Sequence, residues 1–133
     1  MLVDFSTLKL NDLSPIYQQI IRFIKIKISL GEVASGDELP SRRMLSVILN
    51  VNPNTIQKCC KIMENDGFLI SQPGAKSVLS FNAEMAVQMK QMLCAEEVVR
   101  FIDEMIRLKL QKDKVLEIIN TFWSQGEQSN VEK

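Results

Sequence analysis

The dipeptide Asn52-Pro53 ends one apolar pattern and begins another. Asparagine is a preferred N-cap, and proline is free of cost at the first helical position, where the N–H has no intrahelical partner anyway. Behind it, Ile56, Cys59, Cys60 and Met63 recur at the i, i+3, i+4, i+7 spacing of one buried helix face. Asn54, Gln57, Lys58 and Lys61 occupy the opposite face. Ahead of the dipeptide, Ser41 caps a shorter helix whose Leu45, Ile48 and Leu49 are expected to face inward, with Val51 closing the turn. Two short helices on a three- or four-residue turn, the second polar and basic on its outer face, form a helix-turn-helix pattern.

The flanking segments extend this motif into a domain. Ser14-Pro15 reads as a cap followed by a first helical proline, and Ile16, Ile20, Ile24 and Ile28 then mark a stripe widened by Ile21 and Phe23 and ended by Gly31. Phe5 to Leu10 reads as an edge strand or an arm, and Gly31 to Pro40 as turn. After Asp66-Gly67, the runs Phe68-Leu69-Ile70 and Val78-Leu79-Ser80-Phe81 predict a β-hairpin with Pro73-Gly74 at its tip. Residues 1–82 therefore read as a winged helix-turn-helix, with its third helix at 52–66 and its wing at 72–77.

Ala83 to Leu110 contains no proline or glycine and carries Met85, Met89, Met92, Val99, Ile102 and Ile106 at helical spacing. Such a helix is about 40 Å long at 1.5 Å per residue. Lys112-Asp113 reads as a break before a last helix striped by Val115, Ile118, Ile119 and Phe122, with residues 124–133 frayed. Two helices cannot bury both stripes between themselves. Residues 83–133 are thus expected to be a dimerisation segment using Met85, Met89, Met92, Val99, Ile106, Phe122 and Trp123. The fold class is mainly α with a small β-hairpin: an N-terminal winged helix-turn-helix plus a C-terminal two-helix dimerisation segment.

Composition removes several classes of function. None of the 133 residues is histidine, which excludes a Ser-His-Asp triad, a Cys-His pair and an HExxH zinc site, and points away from an enzyme. Lys25 and Lys27 interrupt the most apolar stretch, so no membrane span is expected, and an acid at position 4 argues against a signal peptide. A cytoplasmic protein without cofactor follows. Glu96, Glu97, Asp103 and Glu104 lie three or four residues from Arg100 or Arg107, so helix-surface ion pairs account for them without a metal. Cys59 and Cys60 read as small apolar groups, since adjacent helical cysteines are poorly placed to form a disulfide. Net charge is zero, but residues 1–82 hold nine Lys+Arg against seven Asp+Glu, and residues 83–133 the reverse. That asymmetry directs a polyanion toward the N-terminal part.

Four strings in order resemble the GntR family of bacterial transcription regulators, in its small YtrA-type branch. They are Pro15-Ile16-Tyr17-Gln18-Gln19-Ile20, Leu39-Pro40-Ser41-Arg42-Arg43-Met44-Leu45, Val51-Asn52-Pro53-Asn54-Thr55-Ile56 and Glu64-Asn65-Asp66-Gly67-Phe68. The resemblance implies a homodimeric repressor on a near-palindromic operator, often beside genes for transporters. It implies a DNA-contacting arginine at Arg43, a hydroxyl contact at Thr55, a polar contact at Gln57, and a wing tip over Gly74-Ala75-Lys76-Ser77. Two departures stand out: Pro53 replaces an arginine that often reads guanine, and Lys76 replaces the second glycine of the wing. Readout is thereby shifted toward Asn52, Asn54, Gln57 and Lys58.

Physical chemistry supports the same assignments. Asn54 and Gln57 can pair with the N6 and N7 edge of adenine in the major groove. Ser41, Asn54 and Thr55 lie near helix N-termini suited to phosphate, while Arg42, Arg43, Lys58 and Lys76 supply attraction independent of sequence. The expected partners are double-stranded operator DNA and a second copy of the chain. A tail of this size is small for a ligand pocket, which leaves the space between two subunits as the place for an unidentified small-molecule effector. The alternative is a winged-helix protein-protein interaction module without specific DNA binding.

Overall fold

A computed structural model describes residues 1–72 and 76–131, with backbone alone at 128–131. The chain order is α1 (Ile16–Ser29), β1 (Glu38–Leu39), α2 (Arg42–Leu49), α3 (Pro53–Asn65), β2 (Leu69–Gln72), β3 (Lys76–Leu79), α4 (Ala83–Arg107) and α5 (Lys112–Val131). Among the described residues the fold is mainly helical with one small antiparallel sheet. The expected hairpin tip at Pro73-Gly74, and Gly74-Ala75 of the wing string, lie outside the described residues.

Helix α1 begins one residue later than expected. Pro15 is its N-cap, with an extended ψ of 137°, and no side chain caps the terminus. The expected Ser14 cap is absent; the Gln19 amide instead donates to the Ser14 and Asn11 carbonyls. Ile20, Ile21, Ile24 and Ile28 are buried as the stripe predicts. The helix stops in a Schellman turn: Glu32 N–H donates to Lys27 O and Gly31 N–H to Ile28 O, with Gly31 at φ +72°.

In α2 the expectation holds for Leu45, which is buried, and for Leu49, which is partly so. It fails for Ile48, which is 51 % exposed. Eight residues give little more than two turns, and only the narrow Leu45–Leu49 row meets α3; Met44, Val47 and Ile48 lie outside it. The turn to α3 depends on Asn50 at φ +53°, with Val51 N–H donating to Ser46 O and Ser46 Oγ to Val51 O. Asparagine is one of the few side-chain-bearing residues that adopts this left-handed conformation readily.

The sheet has one strand more than expected. β3 lies between β1 and β2, pairing Glu38 with Val78 and Leu39 with Ser77 on one edge, and Leu69 with Leu79, Ile70 with Val78, Ser71 with Ser77 and Gln72 with Lys76 on the other. Phe68 precedes β2, and Ser80-Phe81 follow β3, so the hairpin is shifted toward its tip by one or two residues. Residues 5–10 form no strand. Instead Leu2 bridges Glu38, which brings Val3 and Phe5 into the core, where the Phe5 ring centroid lies 5.5 Å from that of Phe23.

The core joins α1, α2 and α3 to the inner sheet face through Ile20, Ile24, Ile28, Leu45, Ile56, Cys59, Cys60, Met63, Phe68 and Leu79. Each large apolar side chain buried this way contributes about 1.5 to 3 kcal/mol. Met85, Ala86 and Met89 of α4 pack against it, so two of the methionines expected in a dimer interface contact the chain's own core.

Two compact units emerge, Met1–Leu93 and Cys94–Lys133. In the second, no described residue from 94 to 127 is buried; Val115, Ile118 and Ile119 are half-covered. Trp123 is not buried within the chain. It is 67 % exposed, and its indole N–H donates to Glu127 at 2.9 Å. The helix break falls at Lys109, which adopts φ +61° in a Schellman turn closed by Leu110 N–H on Met105 O.

Candidate nucleic-acid interface

The geometry of α3 follows from its cap. Asn52 Oδ1 accepts from Asn54 N–H at 2.8 Å, and Asn52 O accepts from Thr55 N–H at 2.9 Å. Ile56, Cys59, Cys60 and Met63 are all at most 2 % exposed. Burial of that face turns Asn54, Gln57, Lys58 and Lys61 to the outside, with Thr55 at the margin. Ser41 caps α2 in the same manner, its Oγ accepting from Met44 N–H at 3.1 Å. Both termini thus spend one N–H on their own caps. In α3 no further first-turn donor is left over, because Pro53 carries no N–H and Thr55 N–H is taken by Asn52 O.

The two arginines diverge. Arg43 is exposed, and no described residue forms an ion pair with it. Arg42 runs inward: its Nη2 donates to Ser71 Oγ at 3.1 Å and lies 3.4 Å from Glu64 Oε1. Lys58 lies over the Tyr17 ring, its Nζ 3.9 Å from the centroid, and the Tyr17 hydroxyl accepts from Gln18 Nε2 at 3.1 Å. This places an ammonium against the electron-rich ring face while its head stays at the surface. Lys76, at the start of β3, lies 3.8 Å from Glu38 Oε1, a surface pair that leaves it mostly exposed. Tyr17 was not legible as part of this face, because the sequence places it on another helix 41 positions away.

Both cysteines of α3 are unsuited to redox chemistry. Burial pushes the Cys59 thiol up to about 12, with Cys60 adding to the effect, and its Sγ lies 3.7 Å from Tyr17 O. Burial raises Cys60 as well, against an opposing influence from Arg42. Because the thiolate is the reactive form, both side chains act as small core groups. On α4, Arg100 pairs with Glu97 at 3.3 Å and Arg107 with Glu104 at 2.6 Å, so the acidic stretch is laced by its own arginines. No group of metal-binding side chains occurs among the described residues, and no helix there is long and apolar enough to cross a membrane.

A recognition-type helix with a buried apolar face and an exposed polar and basic one, preceded by a short capped helix and followed by a hairpin, defines a winged helix-turn-helix protein of the DNA-binding class. Comparison with known proteins narrows this. The profile of "Bacterial regulatory proteins, gntR family" matches residues 16–78. The HTH-type transcriptional regulator YhcF of Bacillus subtilis is 36 % identical over 112 residues, covering 84 % of this chain and 93 % of that one. The HTH-type transcriptional repressor YtrA of the same organism is 36 % identical over 90 residues, covering 67 % and 69 %. A GntR family transcriptional regulator from Listeria monocytogenes superposes with a TM-score of 0.73 at 29 % identity, covering 84 % and 98 %. The chain belongs to the GntR family, whose members are DNA-binding transcription regulators and not enzymes.

Proposed function

We propose that the protein is a homodimeric repressor that acts in the cytoplasm on a near-palindromic operator. Each subunit places α3 in a major groove, and Asn54, Gln57 and Asn52 read base edges there. Ser41, Arg43, Thr55, Lys58 and Lys76 contact phosphates, with the wing beside the helix. The observation that carries this reading is the strict segregation of α3: four residues at most 2 % exposed on one side, and Asn54, Gln57, Lys58 and Lys61 exposed on the other.

The dimer rests on the second unit. Val99, Ile106, Phe122 and Trp123 are each more than half exposed, as is Met92 just before the unit begins. Monomeric soluble proteins rarely leave apolar surface of that extent uncovered. A second copy offers the same stripes, so residues 83–133 serve as the dimerisation segment, and half-site centres lie one helical turn, ~34 Å, or a multiple of it apart. An effector, if the regulator uses one, binds between the two subunits.

The test is fluorescence anisotropy with a duplex from the protein's own upstream region against a scrambled duplex, from 50 to 200 mM salt. Preferential binding that weakens steeply with salt, by roughly one logarithmic unit per phosphate contact for each tenfold rise, is the expected result. Equal weak binding to both duplexes means either that an effector is missing or that the protein is an interaction module, which a pull-down for protein partners then tests.

A further inference from the structure

We propose that Arg42 is a positioning residue, a clamp that fixes the base of the wing against the recognition helix rather than a contact to DNA. The inference rests on the DNA-binding reading above and assigns a role that the reading leaves open.

Arg42 is the first residue of α2, where a positive charge is disfavoured by the helix dipole. Its side chain crosses to two other elements. Nη2 donates to Ser71 Oγ on β2 and pairs with Glu64 Oε1 near the end of α3, and Ser71 Oγ donates to that same Glu64 oxygen. The three groups close a ring joining α2, α3 and β2. Both ionic partners are about two-thirds buried, at 33 % and 32 % side-chain exposure. A guanidinium neutralised in this way adds little to the attraction of a polyanion.

The position of the ring in the sheet gives it leverage. Ser71 pairs in register with Ser77, and among the described residues Gln72 and Lys76 form the one further pair toward the tip. Ser77 is 3 % exposed, and neither its Oγ nor Arg42 Nε has a hydrogen bond of ordinary geometry; the Cys60 thiol beside them is a weak partner for both. Arg42 therefore meets β2 at Ser71, one register step below the last described pair of the hairpin. A change there alters the angle at which Lys76 leaves the sheet, while Arg43, the next residue along, remains outside.

The test uses Arg42→Met, Glu64→Gln and the double variant in the full chain, with two readouts. Hydrogen exchange of the free protein is followed at residues 69–72 and, as a control, along α1. Anisotropy is measured on the duplex the unmodified protein prefers. A clamp predicts that both single variants speed exchange at 69–72 and leave α1 unchanged. It also predicts that each weakens binding about tenfold, and that the double variant is no worse than either single one, as for two parts of one charged hydrogen-bonded unit. A direct contact predicts the opposite sign for Glu64→Gln, since freeing Arg42 strengthens binding or leaves it unchanged; that result overturns the proposal. Unaltered exchange at 69–72 overturns it too. Glu64→Gln removes only charge, so it carries the test if Arg42→Met does not fold. Failure of the unmodified protein to prefer any duplex counts against the DNA-binding reading, while the exchange measurement still decides the clamp.

Discussion

Leu45 and Ile48 lie three residues apart on α2 and look interchangeable by their spacing, yet their surroundings differ sharply. Leu45 is 2 % exposed and Ile48 51 %. Truncating a buried leucine to alanine costs about 2 to 5 kcal/mol, from lost transfer energy plus the cavity left behind. For Ile48, roughly half of the 1.5 to 3 kcal/mol of a fully buried side chain is at stake, about 1 kcal/mol. Alanine returns about 0.4 kcal/mol of that through its higher helix propensity. The expected penalties are therefore about 3 kcal/mol for Leu45→Ala and about 0.5 kcal/mol for Ile48→Ala. Urea titration measures both, with the single tyrosine, Tyr17, reporting on the first compact unit and the single tryptophan, Trp123, on the second. With a slope near 2 kcal/mol per molar, the Tyr17 midpoint drops by about 1.5 M in the first variant and about 0.3 M in the second. Equal losses would refute the placement of α2, because they would mean that Ile48 is buried after all.

Other outcomes follow from the same geometry. Gln57→Ala should relax base preference at one operator position by about 1 to 3 kcal/mol, whereas Arg43→Ala should weaken binding to all sequences and lower the salt slope by about one; binding to a panel of single-base variants separates the two. Replacing Phe122 and Trp123 together with alanine should shift the chain toward monomer in sedimentation while leaving the Tyr17 unfolding midpoint in place. The raised Cys59 thiol, at about 12 in the folded protein against an ordinary 9, keeps its proton in the fold but loses it in the unfolded chain. Its stabilising contribution is therefore complete below pH 9 and declines as pH rises toward 12, and Cys59→Ala should flatten that alkaline decline in denaturation curves.

Local signals in the chain were read well wherever one residue type has one dominant physical use. The caps at Ser41 and Asn52, the proline at 53, the buried row of α3 and the glycine stop at 31 were all legible. Errors arose where the deciding partner is distant or the usual residue is absent. Strand β1 is two residues long, too short for any alternation, and exists because β3 offers it an edge. Arg42 and Arg43 are identical in sequence terms; Glu64 and Ser71, 22 and 29 positions on, separate an inward side chain from an outward one. The left-handed turn at Lys109 carries no glycine to announce it. Which polar residues of α3 stay exposed was already visible as periodicity, but the support of Lys58 by Tyr17 required tertiary structure.

Interleaving on α3 has a consequence for how such a protein changes over generations. Positions 54, 57 and 61 share a helix with four core residues yet contribute nothing to the core. Exposed helix positions of this kind tolerate substitution within about 0.5 kcal/mol. Side chains at these positions, which in the proposed function include the base readers Asn54 and Gln57, can therefore be exchanged by single mutations without a folding penalty, while the apolar residues between them hold the scaffold constant. A gene duplicate could drift to a new binding sequence through folded intermediates at every step.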